Sequence, residues 1–279
     1  LDKAQVFSAI AAQISEHGMV FPTSVRLALR IRDMLADPDC HIDTVAKLVQ
    51  AEPVLSARIV ALANSVAYNP YGREIDDLRS AIARIGLSTV RTLAMAVVAR
   101  QMAGNSIPAD ARELAEKLWA HSAHVAALAR VLARRVTRLD PEAAMFAGIV
   151  HEVAGFYLLS RSPDYPELLN DDFAEWIEGG ERMLGEPLLR VLNVPENIRL
   201  AVDTYWEGYL NMPPTSLGDT LLLAEELSPV PSPLHVRRDA GPAARGSAEI
   251  ELLIGEQLLT EILEESRCEV DSLSEALRF

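Results

Sequence analysis

Apolar residues recur at spacings of three and four along almost the whole chain, and no run alternates apolar with polar residues as a half-buried strand would. The pattern predicts an all-α fold. Leu27, Ile31 and Leu35 mark a first core-facing helix, Val45, Leu48 and Val49 a second, and Leu55, Ile59, Leu62 and Val66 a third. Leu78, Ile82 and Ile85 mark a fourth, and Val90, Leu93 and Val97 a fifth. Between them stand Asp37-Pro38-Asp39, Glu52-Pro53, Asn69-Pro70-Tyr71-Gly72 and Gly86-Leu87-Ser88. Proline and glycine stop helices there, and acidic or hydroxyl side chains cap the next ones.

After a break at Gly104-Asn105-Ser106-Ile107-Pro108, the residues Leu114, Leu118, His121, Val125, Leu128 and Leu132 form the clearest helical stripe of the chain. Asp140-Pro141-Glu142 then opens a very apolar helix expected to run through Leu159. It lacks a polar face, which predicts burial on most sides and a central place in the domain. Further helices are expected over 181–192, 196–206 and 216–227. Four prolines and two glycines between Ser228 and Ala248 mark an irregular connection. Beyond it, Ile250, Leu253, Ile254, Leu258 and Ile262, then Val270, Leu273 and Leu277, give a C-terminal helical extension over 249–279 that either completes the core or docks a partner.

Charge and composition narrow the function. Residues 159–279 hold 9 Lys/Arg against 24 Asp/Glu, whereas residues 1–158 hold 17 against 16. An acidic half beside a neutral one argues against DNA binding, because neutralising phosphates needs a basic surface. The apolar run ending at Leu159 is interrupted by His151 and Glu152, so no membrane span is expected. The start, Leu1-Asp2-Lys3, has no basic region followed by an apolar stretch, which predicts no signal peptide and fits a piece of a longer protein. The two cysteines, Cys40 and Cys268, belong to no metal-type cluster and suit a reducing cytoplasm.

Two linked motifs carry a family resemblance. The segment from Ala51-Glu52-Pro53 to Asn64-Ser65-Val66-Ala67-Tyr68 resembles the third helix of HDOD domains, which runs from an acidic-Pro pair to an Asn-Ser dipeptide. Ala81-Ile82-Ala83-Arg84-Ile85-Gly86 is similar to the A-I-x-x-[LI]-G run that follows it in that family. The likeness continues through Leu118-Trp119-Ala120-His121-Ser122 and Gly148-Ile149-Val150-His151-Glu152, and covers about residues 7–227. It implies an N-terminal helical lobe, residues 7–103, packed on an HD-like helical lobe, residues 108–227.

HDOD domains are related to the HD phosphohydrolases, in which a His, a His-Asp pair and a distant Asp hold divalent metal. Such ligands fix cations that activate a water and neutralise phosphate oxygens. By position the resemblance offers His121, His151, Glu152 and Asp219. Glu152 stands where the family's relatives have Asp, and a methylene more displaces its oxygens. The further histidines and Gly-Tyr-Pro motif of the HD-GYP branch are not recognisable: Thr204-Tyr205-Trp206 stands near an expected histidine pair, and His235 lies in the proline-rich connection. The four residues are therefore expected to be a vestige lying close together, with no catalytic residue, bound metal or cofactor.

The expected role is that of a bacterial signal-transduction output domain acting on protein partners, with an upstream receiver domain in the parent protein as the resemblance allows. The alternatives are a divergent metal-dependent phosphohydrolase acting on a nucleotide or cyclic dinucleotide, and a nucleotide sensor that does not hydrolyse. Asn64, Ser65 and Tyr68 are expected to fix how the two lobes meet, and Arg84 is grouped with them as an interlobe or interaction residue. The arginines at 58, 79, 84, 91 and 100 give a local positive excess, read as a solvated face or as a receiver of acidic groups.

Overall fold

The computed structural model describes residues 3–17, 23–37, 39–51, 53–102, 107–169, 173–235 and 254–276. The expected break at 104–106, Glu52, the connection beyond His235, and the stripe positions Ile250, Leu253 and Leu277 lie outside the described residues.

The described residues contain helices and no strand. In chain order they are α1 (Lys3–His17), α2 (Thr23–Met34), α3 (Ile42–Val49), α4 (Pro53–Asn64), α5 (Leu78–Ile85), α6 (Leu87–Met102), α7 (Ala109–Leu132), α8 (Pro141–Val150), α9 (Val153–Ser160), α10 (Glu181–Val191), α11 (Glu196–Glu207), α12 (Leu217–Leu227) and α13 (Glu256–Ala276). Local chemistry sets their ends. The Asp77 carboxylate accepts from the Ser80 amide at the start of α5, and Gly86 ends it at φ 84°. At α8, Asp140 accepts from the Glu142 amide with Pro141 in the first turn.

The stripe centred on His121 becomes α7, the spine of the fold. It packs on α8, α9, α12 and α13, while α6 joins the α2–α5 group to α8 and α9. Contact between α7 and α8 is close because of Gly148: a Cβ there would stand 2.4 Å from the Ala126 Cα. That approach sets the separation of the two histidine-bearing helices.

Three expectations about the helices change. The helix expected through Leu159 is two, α8 and α9, broken at His151-Glu152, where the His151 imidazole donates from Nδ1 to the Gly148 carbonyl. Counted across that break, Pro141–Ser160 reaches 20 residues with the hydropathy of a membrane span, yet 83% of it is buried among the other helices, as the innermost element of a helical core is. An additional helix, α1, buries Val6, Phe7, Ile10 and Ile14 and packs mainly on α10. Helix α4 stops at Asn64, so Val66 is outside its stripe and 71% exposed.

Of the five arginines Arg79 is exposed, as on a solvated face, and the others are partly or fully buried. Arg58 is buried, Arg79 pairs with Asp43, and Arg91 and Arg100 lie over the rings of Phe146 and Trp119. Helix α13, whose role the sequence left open, completes the packing by burying Ile262, Val270 and Leu273 against α7 and α4.

Candidate functional site

The four candidates from the sequence divide into three that meet and one that does not. His121 projects from the middle of α7, and His151 and Glu152 from the break between α8 and α9; all three are fully or almost fully buried. The two imidazoles approach with Nε2 atoms 3.2 Å apart, and Glu152 Oε1 lies 3.8 Å from Nε2 of His121. Asp219 serves elsewhere. Its carboxylate accepts from the Ser216 hydroxyl and from the amides of Asn211, Thr215 and Ser216, closing a capping box at the start of α12. These bonds hold the Asp219 carboxyl below its ordinary range against the opposing effect of burial.

The carboxylate that α12 does bring to the site is Glu225, whose Oε2 lies 3.1 Å from Nε2 of His121 and 3.6 Å from Nε2 of His151. Three more residues join it. Glu181 at the start of α10 accepts from Nε2 of His235 at 2.9 Å, and Nδ1 of His235 lies 3.0 Å from the Tyr205 hydroxyl and 3.9 Å from Glu152 Oε1. The expectation that ligand-type residues are lacking near the His pair is therefore corrected: the segment after α12 folds back and delivers His235. Leu234 anchors that segment. It is fully buried, and Gly155 makes room, since a Cβ there would stand 2.7 Å from Leu234 Cδ1.

Hydrogen bonding fixes the tautomers. His121 Nδ1 donates to the Val230 carbonyl and His151 Nδ1 to the Gly148 carbonyl, both at 2.7 Å, leaving each Nε2 directed into the cluster. Both Glu152 oxygens and Glu181 Oε1 are buried without a hydrogen-bond donor among the described residues. A buried carboxylate in that state is costly unless protons or a cation balance it. Burial pushes the His121 imidazole down, but the Glu225 and Glu152 carboxylates outweigh it and the group keeps its proton more firmly than usual. The same contest, won by Glu152 and Glu181, lifts His235 to about 9. Burial pushes Glu181 up, while His121 and His151 overcome burial at Glu225 and hold it well below the carboxylate range.

The donor set fits a divalent cation. His121, His151 and Glu152 form one group with ligand atoms close together, and Glu152, Glu181 and His235 form another. A cation at the first would supply Lewis acidity and lower the pKa of a bound water. Beside the second, a pocket of about 320 Å³ is lined by Glu181, Arg182, Tyr205, Trp206, Glu225 and His235, among others. His124 is outside both groups, its Nδ1 donating to the Ala120 carbonyl one turn back.

The residues expected between the lobes act mostly within one. The Asn64 amide donates to the Ile75 carbonyl and accepts from its amide, Ser65 bonds the Leu62 carbonyl, and Arg84 bonds the carbonyls of Ala63 and Arg73. They shape the loop between α4 and α5. Tyr68 alone of the four is seen to reach across, its ring 4.6 Å from the guanidinium carbon of Arg130 on α7. Arg130 in turn binds Glu142 of α8 and Glu269 of α13, and Thr89 of α6 donates to Glu142. This Arg130 network was not foreseen, although Arg130 is a charge set among the apolar residues of α7.

An all-helical domain with a buried histidine–carboxylate centre at the junction of its middle helices is of the HD-related class. Residues 21–181 match the profile of the HDOD domain, and the chain belongs to that family. Three solved structures share the fold. A candidate metal-dependent phosphohydrolase of Shewanella amazonensis SB2B has a TM-score of 0.71 at 20% identity, over 97% of this chain and 99% of that one. An HDOD domain protein of unknown function from Geobacter sulfurreducens gives 0.63 at 22% identity, over 99% and 100%. A candidate signal transduction protein of Marinobacter aquaeolei VT8 gives 0.62 at 18%, over 99% of this chain and 65% of that one. A comparison with curated protein sequences gave no match.

Proposed function

We propose that the chain is a regulatory domain of a bacterial signalling protein, acting through protein contacts and not by hydrolysing phosphate esters. Membership of the HDOD family and the fold shared with a candidate signal transduction protein support a signalling role. The observation that carries the non-hydrolytic reading is the position of Glu225. Its carboxylate faces both imidazoles, at 3.1 and 3.6 Å, where a substrate phosphate would have to sit. Glu152 and Glu181 add two further carboxylates, and among the described residues Arg182 is the one Arg or Lys in the lining of the adjoining pocket. Glu225 thus fills the face of the two imidazoles that a phosphate would approach, whereas phosphoryl-transfer sites leave that face to the cations and positive groups that hold the transferred group.

In this reading residues 7–103 and 108–227 are the two lobes, the Arg130 network sets how they meet, and protein partners bind the outer helices. The test is an assay of the purified chain, with Mn²⁺ or Zn²⁺ supplied, against cyclic dinucleotides and a generic phosphodiester. No turnover above the metal-only background is expected.

A second reading, a divergent metal-dependent phosphohydrolase, is favoured by one observation: the Nε2 atoms of His121 and His151 and the donorless Glu152 are arranged as ligands. Metal-dependent turnover that His121→Ala abolishes would establish it.

A further inference from the structure

The geometry points to a site for a first-row divalent cation held by Glu152, Glu181 and His235, with its free face on the pocket beside α10 and α11. The three residues come from separate parts of the chain: the break before α9, the start of α10 and the segment that follows α12. Their ligand atoms nevertheless lie within 4.8 Å of one another. Two carboxylates and one imidazole suit Zn²⁺, Mn²⁺ or Fe²⁺.

The oxygens give the independent reason. Glu152 is fully buried, Glu181 is 5% exposed, and Glu152 Oε1 and Oε2 and Glu181 Oε1 have no hydrogen-bond donor among the described residues. His235 can serve only part of this demand: its Nε2 is on Glu181 Oε2, and its Nδ1, 3.0 Å from the Tyr205 hydroxyl, is 3.9 Å from Glu152. A cation would satisfy the remaining oxygens at once, and its binding would displace the imidazole proton. Entry is provided for, because Glu181 and His235 both line the pocket of about 320 Å³, as do Tyr205 and Trp206.

The cation would also have a structural effect. His235 belongs to the segment whose Leu234 is seated against Gly155 and whose Val230 carbonyl holds His121, so coordination ties that segment to α9 and α10. Metal then tightens residues 228–235 on the domain. This inference stands apart from the regulatory reading: a bound cation is compatible with no turnover, and turnover would overturn that reading without moving the cation.

Chelator-treated protein titrated calorimetrically with Zn²⁺ alone, and separately with Mn²⁺ alone, tests it. We expect an equivalent of cation whose affinity falls at least tenfold in both Glu181→Gln and His235→Gln but is kept in His124→Gln, with circular dichroism verifying the fold of each variant. Hydrogen exchange of residues 228–235 should slow on adding the metal. A crystal grown with Zn²⁺ gives a readout free of mutation: an anomalous peak bounded by Glu152, Glu181 and His235. Absence of binding by either metal, binding unchanged in both variants, or a peak confined to His121 and His151 would overturn the site.

Discussion

His121 and His151, thirty residues apart in sequence, present their Nε2 atoms to each other at 3.2 Å while Glu225 Oε2 faces both. Two bare nitrogens at that distance repel, so the arrangement requires a proton or cation among them. Glu225 is the counter-charge in the metal-free protein. Replacing Glu225 by Ala should therefore cost about 1–3 kcal/mol in urea unfolding, as removal of one partner of a buried polar contact does. Asp219→Ala should cost about 1–3 kcal/mol through the capping box and the Asn211 and Thr215 amides it holds, and should leave the ¹⁵N shifts of the two imidazoles in place. Shifts that move with Asp219 and stay fixed with Glu225 would reverse the assignment.

The α7–α8 approach gives a second expectation. A methyl group on Gly148 meets the Ala126 backbone, which cannot swing aside as a side-chain end can. Gly148→Ala should destabilise by about 1–3 kcal/mol or more, and broaden the His121 and His151 resonances as their helices separate. An unchanged melting midpoint would show that the helices have room.

Asn64 leads to a local effect and not to a global one. Its side chain makes both hydrogen bonds to the Ile75 backbone, at 2.6 and 2.8 Å. Asn64→Ala should lose about 1–3 kcal/mol. Faster amide exchange should centre on Ile75 and the loop before α5, with α7 and α8 protected as before. Loss of protection at α7 in place of the loop would restore the interlobe role expected from the sequence.

Docking of α13 should depend on pH and salt. Glu265 pairs with Arg134 and Arg135 of the π-helical turn Ala133–Thr137, and Glu269 with Arg130 and Arg134. Burial raises the Glu265 carboxyl, but the arginines outweigh it and lower it overall. A depressed carboxyl contributes stability that is present above its unfolded value, about 4.3, and lost as pH falls through its folded value. Hydrogen exchange of α13 should therefore quicken first below about pH 4.3, and added salt should bring the loss on at higher pH. Protection of α13 that is flat across this range would leave its apolar face as the whole anchor.

Most of the helices were legible because an amphipathic helix repeats its chemistry every three to four residues, and the stripe from Leu114 to Leu132 became α7. The α1 stripe of Val6, Ile10 and Ile14 has the same spacing and was readable too. The break at His151 was not, because the His151-Glu152 pair carries no proline, glycine or capping signal and the helix ends through a single side chain turning to its own helix's carbonyl. Position in a motif pointed to Asp219, yet Ser216-Leu217-Gly218-Asp219 is itself a capping-box pattern, and that reading would have freed Glu225. His235 gave no signal: its place depends on Leu234 finding the space left by Gly155, a tertiary fact.

On the proposed regulatory reading the buried centre does not turn over phosphate esters. This is tested most directly by incubating the chain with Mn²⁺ and a cyclic dinucleotide, and following product by chromatography beside a His121→Ala control. The same background rate is expected for both proteins. Metal-dependent product from the parent chain that disappears in His121→Ala would contradict it.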